Sequence, residues 1–285
     1  MALKVLYGRI AVVGRVLSLL SVDDVLAIEE GDPQFQSLRE LYMRLGDCNA
    51  TALLAVLNSL VSYRLSSRGE DYWMEFSRHP FKPGNPDDLA GEFMDFLANS
   101  KCNKLLRDVK ALRIRKLLNS KAHVEIYVRF HDLLRDLKGL REVIRRALNV
   151  EGDEKTVVFA IKMFYYASRV CGNYIVPPMD IELPVDRRVA AVSYTSGIID
   201  GESAMVIEEL MRNHKTVQRA WMEVSRLSNI PSLNLDSIIW ICGKYVRDED
   251  GVSKASSDLT RYSKGRVSSE TARAIASELL MRRLM

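Results

Sequence analysis

Apolar residues recur at three- and four-residue spacing along nearly all of this 285-residue sequence, and nowhere do they settle into the period-two alternation that strands require. That pattern restricts the chain to packed helices. It is plainest in TALLAVLNSLVSYRL (51–65), DDLAGEFMDFLANS (87–100) and DLLRDLKGLREVIRRAL (132–148). In SVDDVLAIEEGD, Ser21 and Asp23 stand where helix N-caps belong and Gly31 closes the segment. The proline- and glycine-bearing stretches HPFKPGNP (79–86) and NYIVPPMDIELPVD (173–186) interrupt the pattern. It resumes in RRVAAVSYTSGIID, ESAMVIEELMRNHKTVQRAWMEVSRL and LDSIIWICGKYV. No repeat of fixed period is visible. The expected fold class is all-α.

Beyond Arg247, RDEDGVSKASSDLTRYSKGR is polar and turn-rich and reads as a linker or mobile segment. A last helix is expected in SSETARAIASELLMRRLM, capped at Ser268 or Ser269. At the other end, Lys4, Arg9 and Arg15 interrupt the apolar N-terminal stretch, which suits an amphipathic helix better than a membrane span. Cys48, Cys102, Cys171 and Cys242 are scattered, with no C-x-x-C pair. They read as small core hydrophobes of a reduced, cytoplasmic protein, and no metal or other cofactor is expected.

Charge is unevenly spread. Residues 101–146 hold fourteen Lys or Arg against five Asp or Glu, a local balance of +9 in a chain whose total is +4. Such a block fits either a polyanionic partner or a solvated helical face.

The segment GDEKTVVFAIKMFYYA (152–167) is apolar on every face yet carries Lys155 and Lys162 seven residues apart, hence on one stripe of a helix. A helix of this kind is normally buried, and lysine is almost never buried without a reason. Lys155 falls in the first turn, against the positive end of the helix dipole, with Lys162 two turns along. These surroundings suit a nucleophilic amine, and Asp153 and Glu154 oppose them. A lysine that reaches the surface at the helix end is the plainer reading. Asp186 follows a proline-stiffened loop and precedes an apolar-periodic segment, a strong N-cap position. It is either a cap alone or a carboxylate fixed by a helix end, able to stabilise a developing cation near an amine nucleophile.

Five segments in order, GDPQF, LNSLVSYRLSSRGEDYW, EKTVVFAIKM, PVDRRVA and SIIWICG, resemble the archaeal 8-oxoguanine DNA glycosylases (AGOG), a branch of the helix-hairpin-helix glycosylase superfamily, over roughly residues 22–247. The resemblance implies a helix-hairpin-helix DNA glycosylase-type fold of two helical lobes with the active site in the cleft between them. Residues 1–65 with 187–285 would form one lobe and 66–186 the other, which carries the hairpin and the nucleophile. It implies a bifunctional enzyme that excises 8-oxoguanine through a lysine Schiff base and then nicks the abasic strand. By the same resemblance Lys155 matches the nucleophile and Asp186 the catalytic aspartate. Gln34, Trp73, Phe159, Lys162, Asp236 and Trp240 match the base pocket. The implied partner is double- or single-stranded DNA containing 8-oxoguanine, bound by a monomer.

Those residue types suit the task. A base must leave the duplex stack before it can be attacked, and a flipped purine needs aromatic walls. Asp236 lies four residues before Trp240, hence beside it on a helix, and can accept from guanine's Watson–Crick edge. Gln34 offers both a donor and an acceptor. One departure from the superfamily is the turn LNVEGDEKT, which holds only Gly152 where relatives have a glycine-rich hairpin. The alternatives are a superfamily enzyme with another lesion preference and a non-enzymatic helical module that binds nucleic acid through the basic block.

Overall fold

The computed structural model describes residues 3–202 and 205–284. The N-terminal segment forms β1 (Lys4–Val5), α1 (Tyr7–Leu17) and α2 (Val22–Glu30). Next come α3 (Pro33–Leu45), α4 (Cys48–Leu60), α5 (Gly69–Arg78), α6 (Pro86–Asn99), α7 (Arg107–Asn119), α8 (Ala122–Val128), α9 (Phe130–Arg135), α10 (Leu137–Leu148) and α11 (Lys155–Val170). The C-terminal segment forms α12 (Arg187–Thr195), β2 (Ile199–Asp200), α13 (Val206–Arg212), α14 (His214–Ser228), α15 (Ser232–Gly243), α16 (Gly251–Tyr262) and α17 (Ser269–Leu279). The fold is all-α as expected. Among the described residues the only sheet is the antiparallel pair β1–β2, two residues a side, with Lys4 opposite Asp200. Ser203 and Ala204, inside the segment expected to be helical from Glu202, lie outside the described residues.

The chain divides into two compact units, Met1–Asp32 with Pro177–Met285, and Pro33–Val176. The sequence expectation places the first boundary after residue 65 and the second after 186, so both move toward the N-terminus. The reason is α4. It is buried from Ala50 to Leu60, with no solvent face to spare, and it packs against α11. α3 also lies on α11, so residues 33–65 belong with the helix they cover.

Within Pro33–Val176, α11 is the central element, enclosed by α3, α4, α9 and α10. Val157, Val158 and every residue from Ala160 to Arg169 are buried, which explains why its sequence has no polar face. The cysteine expectation needs correction here. Cys48 opens α4 and Cys171 caps α11, and the packing of those helices brings their Cα atoms to 5.9 Å and joins them in a disulfide. A separation of 123 residues hid the pair, because only the tertiary packing makes them neighbours. Cys102 and Cys242 remain free thiols, Cys242 buried in the other unit.

Within Met1–Asp32 and Pro177–Met285, helices α1, α2, α12, α14, α15, α16 and α17 share one core. Ser21 caps α2 as expected and forms a reciprocal capping box with Asp24. α1 crosses α14 at Gly14, where a Cβ would come within 2.6 Å of the Leu227 Cβ. The buried Trp221 donates its indole N–H to Ser193 Oγ at 2.8 Å. α15 is buried through Ile239 and again from Ile241 to Gly243.

The tail beyond Arg247 is also corrected. It is no linker: α16 and α17 pack on each other and bury Ala255, Leu259, Val267, Ile275 and Leu279 in the core. Its apolar residues fall three and four apart, but the polar residues between them outnumber them and mask the stripe. Ser268 is the N-cap of α17, accepting from the Thr271 backbone N–H.

Candidate active site

Lys155 is the first residue of α11 and is half-buried. The turn before it is closed by its own side chains. Asn149 ends α10 in the left-handed region, and Gly152 adopts φ +98°, which costs a glycine little. The Glu154 carboxylate then accepts from the backbone N–H groups of Glu151 at 3.1 Å and Gly152 at 2.8 Å. On the other side of Lys155, Thr156 Oγ1 accepts from the Arg113 guanidinium at 3.0 Å. Burial pushes the Arg113 pKa below its ordinary value, against the opposing pull of Tyr63 and Glu154. The two residues flanking Lys155 are thus both tied down, while Lys155 itself makes no hydrogen bond or ion pair among the described residues. Glu154, which the sequence sets against a nucleophilic amine, is engaged in closing the turn.

One turn further on, the Phe159 ring meets Trp73 of α5 edge-to-face, with centroids 5.9 Å apart. Trp73 is buried and also packs on Phe76 at 5.5 Å. Lys162 is only 2% exposed, and its Nζ lies 5.2 Å from the Tyr166 ring centre. The Tyr166 ring in turn meets Phe35 edge-to-face at 5.3 Å. Phe35 adjoins Gln34, which is buried in the first turn of α3. The elements bearing Gln34, Trp73, Lys155, Phe159 and Lys162 therefore pack in one unit, α3 against both α5 and α11.

The other three predicted residues lie in the second unit. Asp186 is the N-cap of α12, as its position implies, and is half-buried. Its Oδ1 accepts from the backbone N–H groups of Arg188 at 2.8 Å and Val189 at 2.9 Å. Both bonds end on the same oxygen, so the cap makes no use of Oδ2. Asp236 is buried in the second turn of α15. Trp240, one turn along, is half-buried, and α12 packs across it. The Arg188 guanidinium and the Lys244 ammonium each stand 4.3 Å from the Trp240 ring centre. The approach of α12 depends on Gly243, where a Cβ would come within 2.8 Å of the Arg188 Cβ.

Residues 14–274 of this chain match the AGOG family, N-glycosylase/DNA lyase. The chain belongs to that family. The AGOG match begins before residue 22 and runs past 247 through α16 into α17, further at both ends than the sequence resemblance reached. An N-glycosylase/DNA lyase of Pyrobaculum aerophilum is 32% identical over 232 residues, covering 81% of this chain and 84% of the relative. One from Methanococcus maripaludis is 36% identical over 214 residues, covering 74% and 78%. One from Aeropyrum pernix is 34% identical over 253 residues, covering 85% of each. Among solved structures, the crystal structure of 8-oxoguanosine-complexed Pa-AGOG, an 8-oxoguanine DNA glycosylase from P. aerophilum, aligns with a TM-score of 0.75 at 27% identity. That alignment covers 92% of this chain and 98% of the other. This AGOG protein is a DNA glycosylase with abasic-site lyase activity, and DNA is its substrate.

The structural roles of four residues beside the predicted ones escape sequence reasoning. Arg113 and Glu154 hold the turn at the head of α11, and Arg188 and Lys244 flank Trp240. Only Lys244 leaves a sequence signal, its place four residues after Trp240 on one helix face. Arg113 lies in the basic block, and nothing in its spacing separates it from the solvated cations around it.

Proposed function

We propose that this protein excises 8-oxoguanine from DNA with Lys155 as nucleophile and Asp186 as the carboxylate that stabilises the reacting sugar. The reading rests chiefly on the likeness to Pa-AGOG, a glycosylase solved with 8-oxoguanosine bound, over 98% of that chain. The local geometry agrees with it: an unpaired lysine heads a helix whose flanking residues are pinned, and a carboxylate is held by two backbone N–H groups with one oxygen to spare.

The lesion nucleoside leaves the stack, and the aromatic residues proposed to meet its base are Trp73, Phe159 and Trp240. Asp236 accepts from the Watson–Crick N–H groups, and Gln34 and Lys162 supply the remaining polar contacts. 8-Oxoguanine carries an N–H at position seven where guanine has a bare acceptor. A pocket acceptor aimed there is left unpaired by guanine, at a cost of about 1–3 kcal/mol. The C1′–N9 bond then breaks, its electrons leaving with the base, which takes up a proton. Positive charge gathers on the sugar, and the Asp186 carboxylate, already oriented by its helix, stabilises it without reorganising. The Lys155 amine bonds to C1′ and loses a proton. Ring opening gives the Schiff base, loss of a 2′ proton follows, and the 3′ phosphate departs by β-elimination. The chemistry requires Lys155 Nζ and Asp186 to address one sugar. We take the working form to be a cytoplasmic monomer.

Borohydride added during incubation with an 8-oxoguanine duplex reduces the Schiff base to a stable protein–DNA adduct. The wild-type protein gives the adduct and Lys155→Gln does not, although it still binds the lesion duplex. Normal nicking by Lys155→Gln would move the nucleophile elsewhere. Faster excision of a different lesion in direct competition would replace the substrate and keep the chemistry.

A further inference from the structure

Helix α16 contributes no residue to the base pocket proposed above, yet its side chains reach a proposed member of it through one lysine. Lys244 donates to the Tyr262 hydroxyl at 3.0 Å and pairs with Asp258 at 3.7 Å, both on α16. Asp258 is fixed in its turn, accepting from the Tyr245 hydroxyl at 2.8 Å and from Arg261 at 2.6 Å. These partners hold the Lys244 ammonium 4.3 Å from the Trp240 ring centre. A long lysine side chain left to itself samples many rotamers, and fixing it costs conformational entropy. Here α16 has already fixed it. The ammonium draws on the negative face of the indole and so restrains the ring's tilt.

We infer that Tyr262 and Asp258 are positioning residues for base excision, acting through Lys244 to hold the Trp240 indole at the orientation in which it stacks on the extruded base. The inference rests on the proposed place of Trp240 in the base pocket. It gives α16 a role beyond filling the core, and it is local. The lyase step at a site that has already lost its base needs no stacking on Trp240, so the network bears on base removal and not on strand cleavage at an abasic site.

The test measures single-turnover base excision on an 8-oxoguanine duplex, and strand cleavage on a duplex with a preformed abasic site, for Tyr262→Phe, Lys244→Met, Lys244→Arg and Trp240→Ala. Tyr262→Phe and Lys244→Met slow excision by about fivefold, the size of one cation–π contact loosened. Both keep abasic-site cleavage at the wild-type rate, and Lys244→Arg, which keeps a cation over the ring, restores most of the excision rate. Equal losses in both assays would make these residues elements of the fold only and overturn the inference. Unchanged excision in Tyr262→Phe and Lys244→Met alongside a large loss in Trp240→Ala would also overturn it, while leaving the pocket intact. Unchanged excision in Trp240→Ala would instead remove Trp240 from the pocket, so the two failures are distinguishable. A shallower salt dependence of DNA binding in Lys244→Met would make Lys244 a phosphate contact and refute the positioning role. Tyr262→Phe removes one buried hydroxyl and keeps the ring, so it answers the question even if Lys244→Met folds poorly.

Discussion

The cap that Asp186 forms and the catalytic role proposed for it can be separated by substitution, because one depends on shape and the other on charge. Its Oδ1 caps α12 by accepting from two backbone N–H groups at 2.8 and 2.9 Å. Asparagine presents a carbonyl oxygen in the same place and is as good an N-cap as aspartate. Asp186→Asn therefore keeps the cap and loses the carboxylate, whereas Asp186→Ala loses both. A cap of this kind contributes about 1 kcal/mol, within a range of roughly 0.5–2. The residue is half-buried and uses two donors, which argues for the upper half of that range. Asp186→Ala should then lower the melting temperature by about 2–8 °C, taking roughly 2–4 °C per kcal/mol for a chain of this size, while Asp186→Asn stays close to wild type. The rate behaves differently. A preorganised group facing transition-state charge contributes about 10²–10³ in rate, so both variants should lose that much in single-turnover excision. Thermal melts and a quenched-flow excision assay on the same preparations give both quantities. Equal destabilisation by Asn and Ala would refute the cap as described. Near-normal excision by Asp186→Asn would refute the electrostatic role.

Other outcomes follow from the same geometry. Reducing the Cys48–Cys171 disulfide, or changing both residues to Ser, opens a loop closed across 123 residues. Loop-closure entropy puts the loss near 5 kcal/mol, read as a lower urea midpoint under dithiothreitol. Lys110 is fully buried, hydrogen-bonded to Asn103 Oδ1 and 4.9 Å from the Tyr63 ring centre, and burial pushes its pKa down to about 8. The native state therefore holds fewer protons than the unfolded chain between pH 8 and the ordinary value of 10.5. Wild type should gain stability relative to Lys110→Met as pH rises through that window, and a constant gap in paired melts would contradict the burial. DNA affinity, followed by fluorescence anisotropy, should fall linearly on a log–log plot of binding constant against salt. An affinity indifferent to salt would exclude phosphate contacts.

The helical fold was legible because its periodicity is local. Most of α4, α6, α10 and α11 can be marked on the sequence, and the caps at Ser21, Asp186 and Ser268 are short-range signals that the structure keeps. Lys155 stood out because a charged residue in an all-apolar helix conflicts with its neighbours, a conflict readable without any structure. What escaped depends on elements distant in sequence. Cys48 and Cys171 meet only because α4 lies on α11, and the same packing moves the unit boundary from residue 65 to 32. The stripe of α16 was hidden by its polar residues, and with it the contacts that Lys244 makes with Tyr262 and Asp258. Arg113 shows the limit most clearly: its bond to Thr156 spans 43 residues, and in sequence it is one cation among many.

The proposed chemistry turns on which amine bonds to the sugar. Mass-spectrometric mapping of the borohydride-trapped adduct, after digestion of protein and DNA, reads that bond directly. The reduced sugar remnant is predicted on Lys155. Finding it on Lys162 or any other lysine, or finding no covalent product on an 8-oxoguanine duplex that is being cleaved, would contradict the account.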